Sequence, residues 1–161
     1  MELNEVVVFT DGSCYPNPNG PGGWSFVARH AGAVIERYGH LPSTTNNEAE
    51  LTAIYRALLF VKESLHPLYI TTDSQYAYRS LTVWRYQWEK VGWKNSIGKP
   101  VSNKELILQI VELVEWHRTF RTVHFHWVKG HAGNPLNELA DVLAGRARTE
   151  KITSEKGCEL P

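Results

Sequence analysis

The chain has 161 residues, 42% of them hydrophobic and 21% charged, and its 17 lysines and arginines balance 17 aspartates and glutamates. This is the size and make-up of one globular domain that can bury a core, and it excludes a fibrous or disordered chain. With no net charge there is no global attraction to a polyanion, so any nucleic-acid contact must rest on a local patch. In chain order, Val6-Val7-Val8-Phe9 marks a strand over 6–10, followed by a Gly/Pro/Asn loop over 12–22. Strands over 23–30 and 34–41 flank the hairpin signal His30-Ala31-Gly32. A helix over 45–64, a strand over 68–72, helices over 74–91, a helix over 103–119, a strand over 123–127 and a helix over 137–149 complete the order. Three successive strands, then strands alternating with helices, predict an α/β fold. Its five-stranded mixed sheet has three antiparallel strands, then parallel ones, flanked by helices.

Residues 1–150 read as one domain, and the polar segment 151–161 is expected to fray. Met1 is followed by Glu2, Asn4 and Glu5, so no basic leader is expected. No apolar stretch approaches the length of a membrane span. Cys14 and Cys158 form no ligand or disulfide pattern, which favours a reducing, cytoplasmic setting.

Two apolar runs end on the same word. The first delivers Thr10-Asp11-Gly12-Ser13, and Leu68-Tyr69-Ile70 delivers Thr71-Thr72-Asp73-Ser74. Ligands of open α/β sheets bind at the C-terminal ends of strands. If the two strands are parallel neighbours, they lie about 5 Å apart. Two carboxylates that close repel unless a proton or cation sits between them. Taken singly, each aspartate is equally well explained as a turn or helix-cap residue.

Periodicity on the helix over 45–64 puts Leu51, Ile54, Ala57, Leu58, Val61 and Leu65 on one face, with Glu50 at its edge. Glu48 points away with Thr52 and Arg56, as a solvated first-turn acid does. Glu50 on the packed side needs a partner or a cation. Asp11, Glu50 and Asp73 are an all-oxygen set, suited to Mg²⁺ or Mn²⁺ rather than zinc. On the last helix, Leu136, Leu139, Ala140, Leu143 and Ala147 face inward. Asp141 lies opposite, beside Asn137 and Arg148, and read locally is a solvated acid.

The glycine-containing stretch from Trp127 to Pro135 carries His131, which could move protons near neutral pH or be an ordinary exposed histidine. His124 and His126 alternate along a strand with no third ligand at suitable spacing, and read as a half-exposed face. Trp84, Trp88 and Trp93 mix with Arg85, Lys90, Lys94 and Lys99. Trp84 and Trp88, at i and i+4, favour nucleic-acid contact, and Trp93 favours the core.

These segments in this order resemble type 1 ribonuclease H of the bacterial kind. The matching pieces are Phe9-Thr10-Asp11-Gly12-Ser13-Cys14, Thr44-Thr45-Asn46-Asn47-Glu48-Ala49-Glu50-Leu51 and Thr72-Asp73-Ser74-Gln75-Tyr76. Gly92-Trp93-Lys94, the stretch from Trp127 to Gly133 and Asn137-Glu138-Leu139-Ala140-Asp141 follow. The resemblance implies a ribonuclease H-like fold in a monomer. It also implies cleavage of the RNA strand of RNA–DNA hybrids to 5′-phosphate and 3′-hydroxyl ends.

Asp11, Glu50, Asp73 and Asp141 would hold two Mg²⁺ ions, reversing the local reading of Asp141. His131 would assist proton transfer or product departure, and Glu138 and Asn137 would support the site. Cys14, Asn17, Asn46, Asn47 and Gln75 would line the minor groove of the hybrid, where shape and 2′-hydroxyls are read. Thr45 and Asn103 would hold a DNA phosphate, and Trp84 and Trp88 would pack on DNA sugars.

The sequence departs from the bacterial pattern in four places. The loop near Asn19 is one residue longer, Glu48 replaces a frequent arginine, Ser102 is uncharged, and the protruding segment Trp88-Glu89-Lys90-Val91-Gly92 is weakly basic. Fewer released counterions predict weaker hybrid binding with a shallower salt dependence. A non-catalytic hybrid-binding module would have no need of the four carboxylates. A different Mg²⁺-dependent phosphotransferase would need a glycine loop ahead of a helix, whereas residues 12–23 join two strands.

Overall fold

The computed structural model describes residues 4–154. Strands β1 (Val6–Cys14), β2 (Gly22–His30) and β3 (Ala33–Leu41) form an antiparallel meander, and α1 (Asn46–Phe60) crosses over to β4 (Leu68–Thr72). A bent run follows, made of α2 (Gln75–Arg79), a π turn (Ser80–Trp84) and α3 (Arg85–Lys90). Then come α4 (Lys104–Arg118), β5 (Val123–Trp127) and α5 (Pro135–Glu150). The sheet order is β3-β2-β1-β4-β5, with β4 parallel to both β1 and β5. This is the α/β fold with a five-stranded mixed sheet that the element pattern predicts.

Strand alternation divides the side chains between two layers. Val6 and Val8 of β1, with Leu68 and Ile70 of β4, meet Leu51, Ile54 and Leu58 of α1 and Ile107, Ile110 and Val114 of α4. On the other face, α5 lays Ala140 and Leu143 on Phe9 and Val27. Phe9 and Asp11 are two residues apart on β1, so the carboxylate of Asp11 leaves the sheet on the α5 side. Among the described residues no helix is long and apolar enough to cross a membrane.

The first helix starts where the sequence indicates. Thr45 has extended backbone, and its hydroxyl accepts from the Glu48 amide at 3.1 Å. It ends earlier than the apolar periodicity suggests, at Phe60, and Leu65 is 71% exposed rather than packed. The reason lies sixty residues away. The buried Arg121 guanidinium donates to the carbonyls of Val61 and His66 and to the Ser64 hydroxyl, engaging groups just past the helix end.

Two further boundaries differ from expectation. β1 runs four residues past the strand expected over 6–10 because β2 continues to pair with it as far as Cys14. The start of the tail expected to fray lies along the edge of β3. There Ser154 N donates to Tyr38 O at 2.9 Å and His40 N to the Thr153 hydroxyl at 3.0 Å. Cys158 is outside the described residues.

Candidate metal centre

The repeated Thr-Asp word is a register. β1 and β4 pair from Val6↔Leu68 to Thr10↔Thr72 with a constant offset. One more step sets Asp11 beside Asp73, where β4 has ended and β1 continues along β2. Neither aspartate serves as a turn or cap. Asp11 lies within β1 opposite Ser25. The α2 cap is Ser74, whose hydroxyl accepts from the Ala77 amide at 3.0 Å. Thr72 Oγ1 accepts from the Ser74 amide at 3.1 Å, and the Trp127 indole donates to the Asp73 carbonyl at 3.1 Å. The backbone of Asp73 is thus held, and its carboxylate takes a hydrogen bond from the Asn137 side chain.

Missing side chains bring the helices close. A Cβ on Gly12 would sit 2.3 Å from backbone atoms of Ala49 and Glu50, so α1 crosses β1 against bare backbone. Glu50 thereby reaches the sheet end. One carboxylate oxygen each from Asp11, Glu50 and Asp73 lies within 4.8 Å of the others. On the opposite face a Cβ on Gly23 would meet the Ala144 carbonyl at 2.3 Å, and the Ser25 hydroxyl donates to the Ala140 carbonyl. These contacts press α5 onto β2, bringing Asp141 and Asn137 to the cluster. Asp141 is exposed, as periodicity indicates, but its exposed side borders the site, and its charge acts on both Asp11 and Asp73.

The electrostatics are unfavourable without a counter-charge. Asp11 is 5% exposed; burial, then the charge of Asp73, pushes its carboxyl from 3.8 up to about 8. Burial, then the Asp11 charge, raises Glu50 well above its ordinary value. Burial also raises Asp73, opposed by a hydrogen bond from the Asn137 side chain and by His131. Glu50 Oε1 is shielded from solvent and has no hydrogen-bond partner among the described residues. Repelling carboxylates with an orphaned acceptor fit a hard divalent cation.

The remaining candidates are distributed around this cluster. His131 is exposed, with φ +57°, on the β5–α5 connection. A Cβ on the adjacent Gly130 would lie 3.1 Å from Asp73 Oδ2, so this connection runs directly past the cluster. Asn134 caps α5 by accepting from the amides of Leu136 and Asn137 at 3.1 Å each. Glu138 is exposed in the first turn, whereas Asn137 is only 3% exposed, contrary to the outer-face reading. It is buried because its side chain turns toward Asp73.

Cys14 corrects an expectation. Its thiol does not face a groove; it is buried and lies within hydrogen-bond distance of the carbonyls of Pro16, Gly20 and Thr44 at 3.4, 3.6 and 3.4 Å. It ties the 15–21 loop to the start of α1. On that loop Asn17 Oδ1 accepts from the Asn46 amide at 3.0 Å. Asn17, Asn46, Asn47 and Gln75 are exposed. Glu48, expected to be solvated, accepts from the Thr44 hydroxyl.

Thr45 and Asn103 precede α1 and α4, and the Asn103 amide donates to the Tyr76 hydroxyl at 3.1 Å. Tyr76, Trp84, Trp88 and Trp93 form a row of rings with centroids 6.2, 6.0 and 5.8 Å apart. Trp88 and Trp93 also pack against the core. His124 and His126 flank Tyr69 at 4.9 and 5.6 Å. Sequence reasoning missed Trp127 as the brace of Asp73, and Gly12, Gly23 and Ser25 as the docking points. Their signals were a tryptophan at a strand end and small residues in strands.

Known structures define the class. LC9-RNase H1, a type 1 RNase H with the type 2 active-site motif, matches with a TM-score of 0.79 at 29% identity, covering 98% of this chain and 80% of that one. The PFV RNase H domain matches in fold, with a TM-score of 0.75 at 24% identity over 92% and 96% of the two chains. The sheet with its acidic edge is therefore a ribonuclease H fold. In sequence, the RNase H family model matches residues 3–149. The ribonuclease H of Acidovorax sp. (strain JS42) is 43% identical, covering 89% of this chain and 95% of the relative. That of Halorhodospira halophila (strain DSM 244 / SL1) is 44% identical, covering 91% and 95%. The chain belongs to the ribonuclease H family and is a nuclease of that class.

Proposed function

We propose that this protein hydrolyses the RNA strand of RNA–DNA hybrids, leaving 5′-phosphate and 3′-hydroxyl ends, and that it does so as a cytoplasmic monomer. The observation that carries the reading is the cluster of Asp11, Glu50 and Asp73, with Glu50 Oε1 buried and unpartnered. A pure binding module has no use for buried, mutually repelling carboxylates beside a phosphate.

Asp11, Glu50, Asp73 and Asp141 would hold two Mg²⁺ ions, with Mn²⁺ able to substitute. When bound, such ions stabilise charge on the attacking and leaving oxygens of an in-line phosphoryl displacement. The chain's own groups do the rest. Asn137 orients Asp73 through its amide. His131 holds or delivers a proton beside the scissile phosphate. Glu138, one turn before Asp141, supports that carboxylate. Asn17, Asn46, Asn47 and Gln75 meet the hybrid's minor groove, and Cys14 contributes through backbone and by holding the loop. Thr45 and Asn103 hold a DNA phosphate, and Trp84 and Trp88 pack on DNA sugars.

The test incubates the protein with RNA–DNA hybrid, duplex DNA and single-stranded RNA, each with Mg²⁺ or with chelator. Only the hybrid with Mg²⁺ is expected to be cut. Cleavage that survives chelation, or shows no preference for the hybrid, defeats the proposal.

A further inference from the structure

Beyond the carboxylates, the same edge carries a cation that the reaction as described leaves unused. Ser13 follows Asp11 by two residues on β1, so its side chain leaves the sheet on the same side, about 7 Å along the strand. Arg148 follows Asp141 by seven residues on α5, two turns and about 10 Å further along the same stripe. The two meet, with Arg148 Nε donating to the Ser13 hydroxyl at 2.8 Å. The guanidinium also lies 5.9 Å from the ring centroid of Tyr15. No carboxylate pairs with Arg148 among the described residues.

Both partners are held in place. Gly23 lets α5 approach so closely that a Cβ there would lie 2.8 Å from the Arg148 amide. Tyr15 N donates to the Pro21 carbonyl at 3.0 Å, fixing the backbone beneath a ring that is 72% exposed. A half-buried guanidinium with one nitrogen anchored keeps its remaining donors for an anion, and a phosphate oxygen suits their fork. An exposed ring over that cation suits a sugar.

We propose that Arg148, braced by Ser13 and roofed by Tyr15, binds a backbone phosphate of the hybrid's RNA strand one to two nucleotides from the scissile bond. The spacing follows from the offset of about 7–10 Å, which spans one to two phosphates because the strand winds around the axis and successive phosphates lie well beyond the axial rise of about 3.4 Å. The RNA strand is the one favoured because Asp11, Ser13 and Arg148 all lie on the α5 side of the sheet. Thr45, Asn103 and the tryptophan row lie with α1 and α4 on the other side. The inference rests on the proposed hybrid cleavage and names a further contact of that site.

Arg148→Gln removes the charge and keeps a donor for Ser13, and Arg148→Lys keeps the charge. Binding is measured on the Asp73→Asn protein, with hybrids carrying one neutral methylphosphonate at successive RNA positions, at several salt concentrations. Arg148→Gln is expected to weaken binding about tenfold. It is expected to reduce the slope of log affinity against log salt by about 0.9, with Arg148→Lys restoring the slope. A methylphosphonate one to two nucleotides from the scissile bond should cost the unaltered Arg148 protein affinity and cost Arg148→Gln nothing further. With Asp73 intact, KM should rise and kcat change less than twofold.

An unchanged affinity and slope in a protein that cleaves hybrid normally overturns this inference alone. So does a loss that is the same at every methylphosphonate position, or sensitivity confined to the DNA strand. If the protein with all native residues neither binds nor cuts hybrid, the proposed function falls as well.

Discussion

Each end of β4 carries a buried charged site, and the two are built on opposite principles. At the N-terminal end, Arg121 is 7% exposed and gives its donors to two carbonyls and a hydroxyl. Burial lowers it only to about 10, so it stays charged at neutral pH. At the C-terminal end, Asp11, Glu50 and Asp73 crowd like charges together, and one Glu50 oxygen has no partner. A structural buried charge brings its own acceptors. The carboxylates leave their counter-charge to something outside the chain, which is how a site differs from a brace.

The sharpest way to break this contrast is to neutralise each end in turn. Asp11→Asn or Asp73→Asn should reduce hybrid cleavage by about 100-fold or more, since even the partners behind metal ligands typically matter 10–100-fold. In chelator the same proteins should melt no lower than the parent, because a repulsion is relieved. A large drop in melting temperature there would make the cluster a brace after all. His131 belongs to neither buried site. His131→Ala should slow kcat on the order of 100-fold, with little change in melting, as single-turnover cleavage and calorimetry would report.

Arg121→Met leaves three acceptors stranded and should cost about 2 kcal/mol, roughly 4–8 °C in melting temperature. Cleavage per folded molecule should stay within about twofold of the parent. A selective loss of cleavage would mean that the two ends of β4 are coupled.

The smallest effect is on pH dependence. Asp11 sits at about 8 in the folded protein, against 3.8 as its ordinary value, so the folded state holds a proton that the unfolded chain has lost. The associated stability is complete at low pH and disappears as pH rises through about 8. Buried His117, lowered from 6.5 by desolvation, works in the opposite sense at more acidic pH. Between pH 6.5 and 8.5 the melting temperature in chelator should therefore fall. Asp11→Asn should flatten the fall and Mg²⁺ should reverse it. A flat profile for the parent protein in chelator would remove the electrostatic case for the cluster.

Much of the site was legible in local sequence. Equal strand patterns before Asp11 and Asp73 encode one register, and helical periodicity separates Glu50 from Glu48 because a helix repeats every 3.6 residues whatever it packs on. The mixed character of the sheet followed from three strands in succession and then crossovers, whereas the order β3-β2-β1-β4-β5 came from the structure. Local sequence was silent where two distant elements meet. It set Asp141 and Asn137 together on an outer face, and family resemblance, not periodicity, assigned Asp141 to the site. It let α1 run on past Phe60, while the family resemblance, not local sequence, placed Cys14 in a groove.

The amino-acid sequence by itself determined which residues alternate, which face of each helix is apolar and which acids stand at the ends of paired strands, since these depend on backbone geometry shared by all helices and strands. The tertiary structure alone decided how near the elements approach. Bare backbone at Gly12 and Gly23 lets α1 and α5 lie directly on the sheet, so that an outer-face aspartate borders a buried one. Arg121 reaches back across the chain to the end of α1. Such contacts depend on steric fit between segments far apart in sequence, which no local pattern carries.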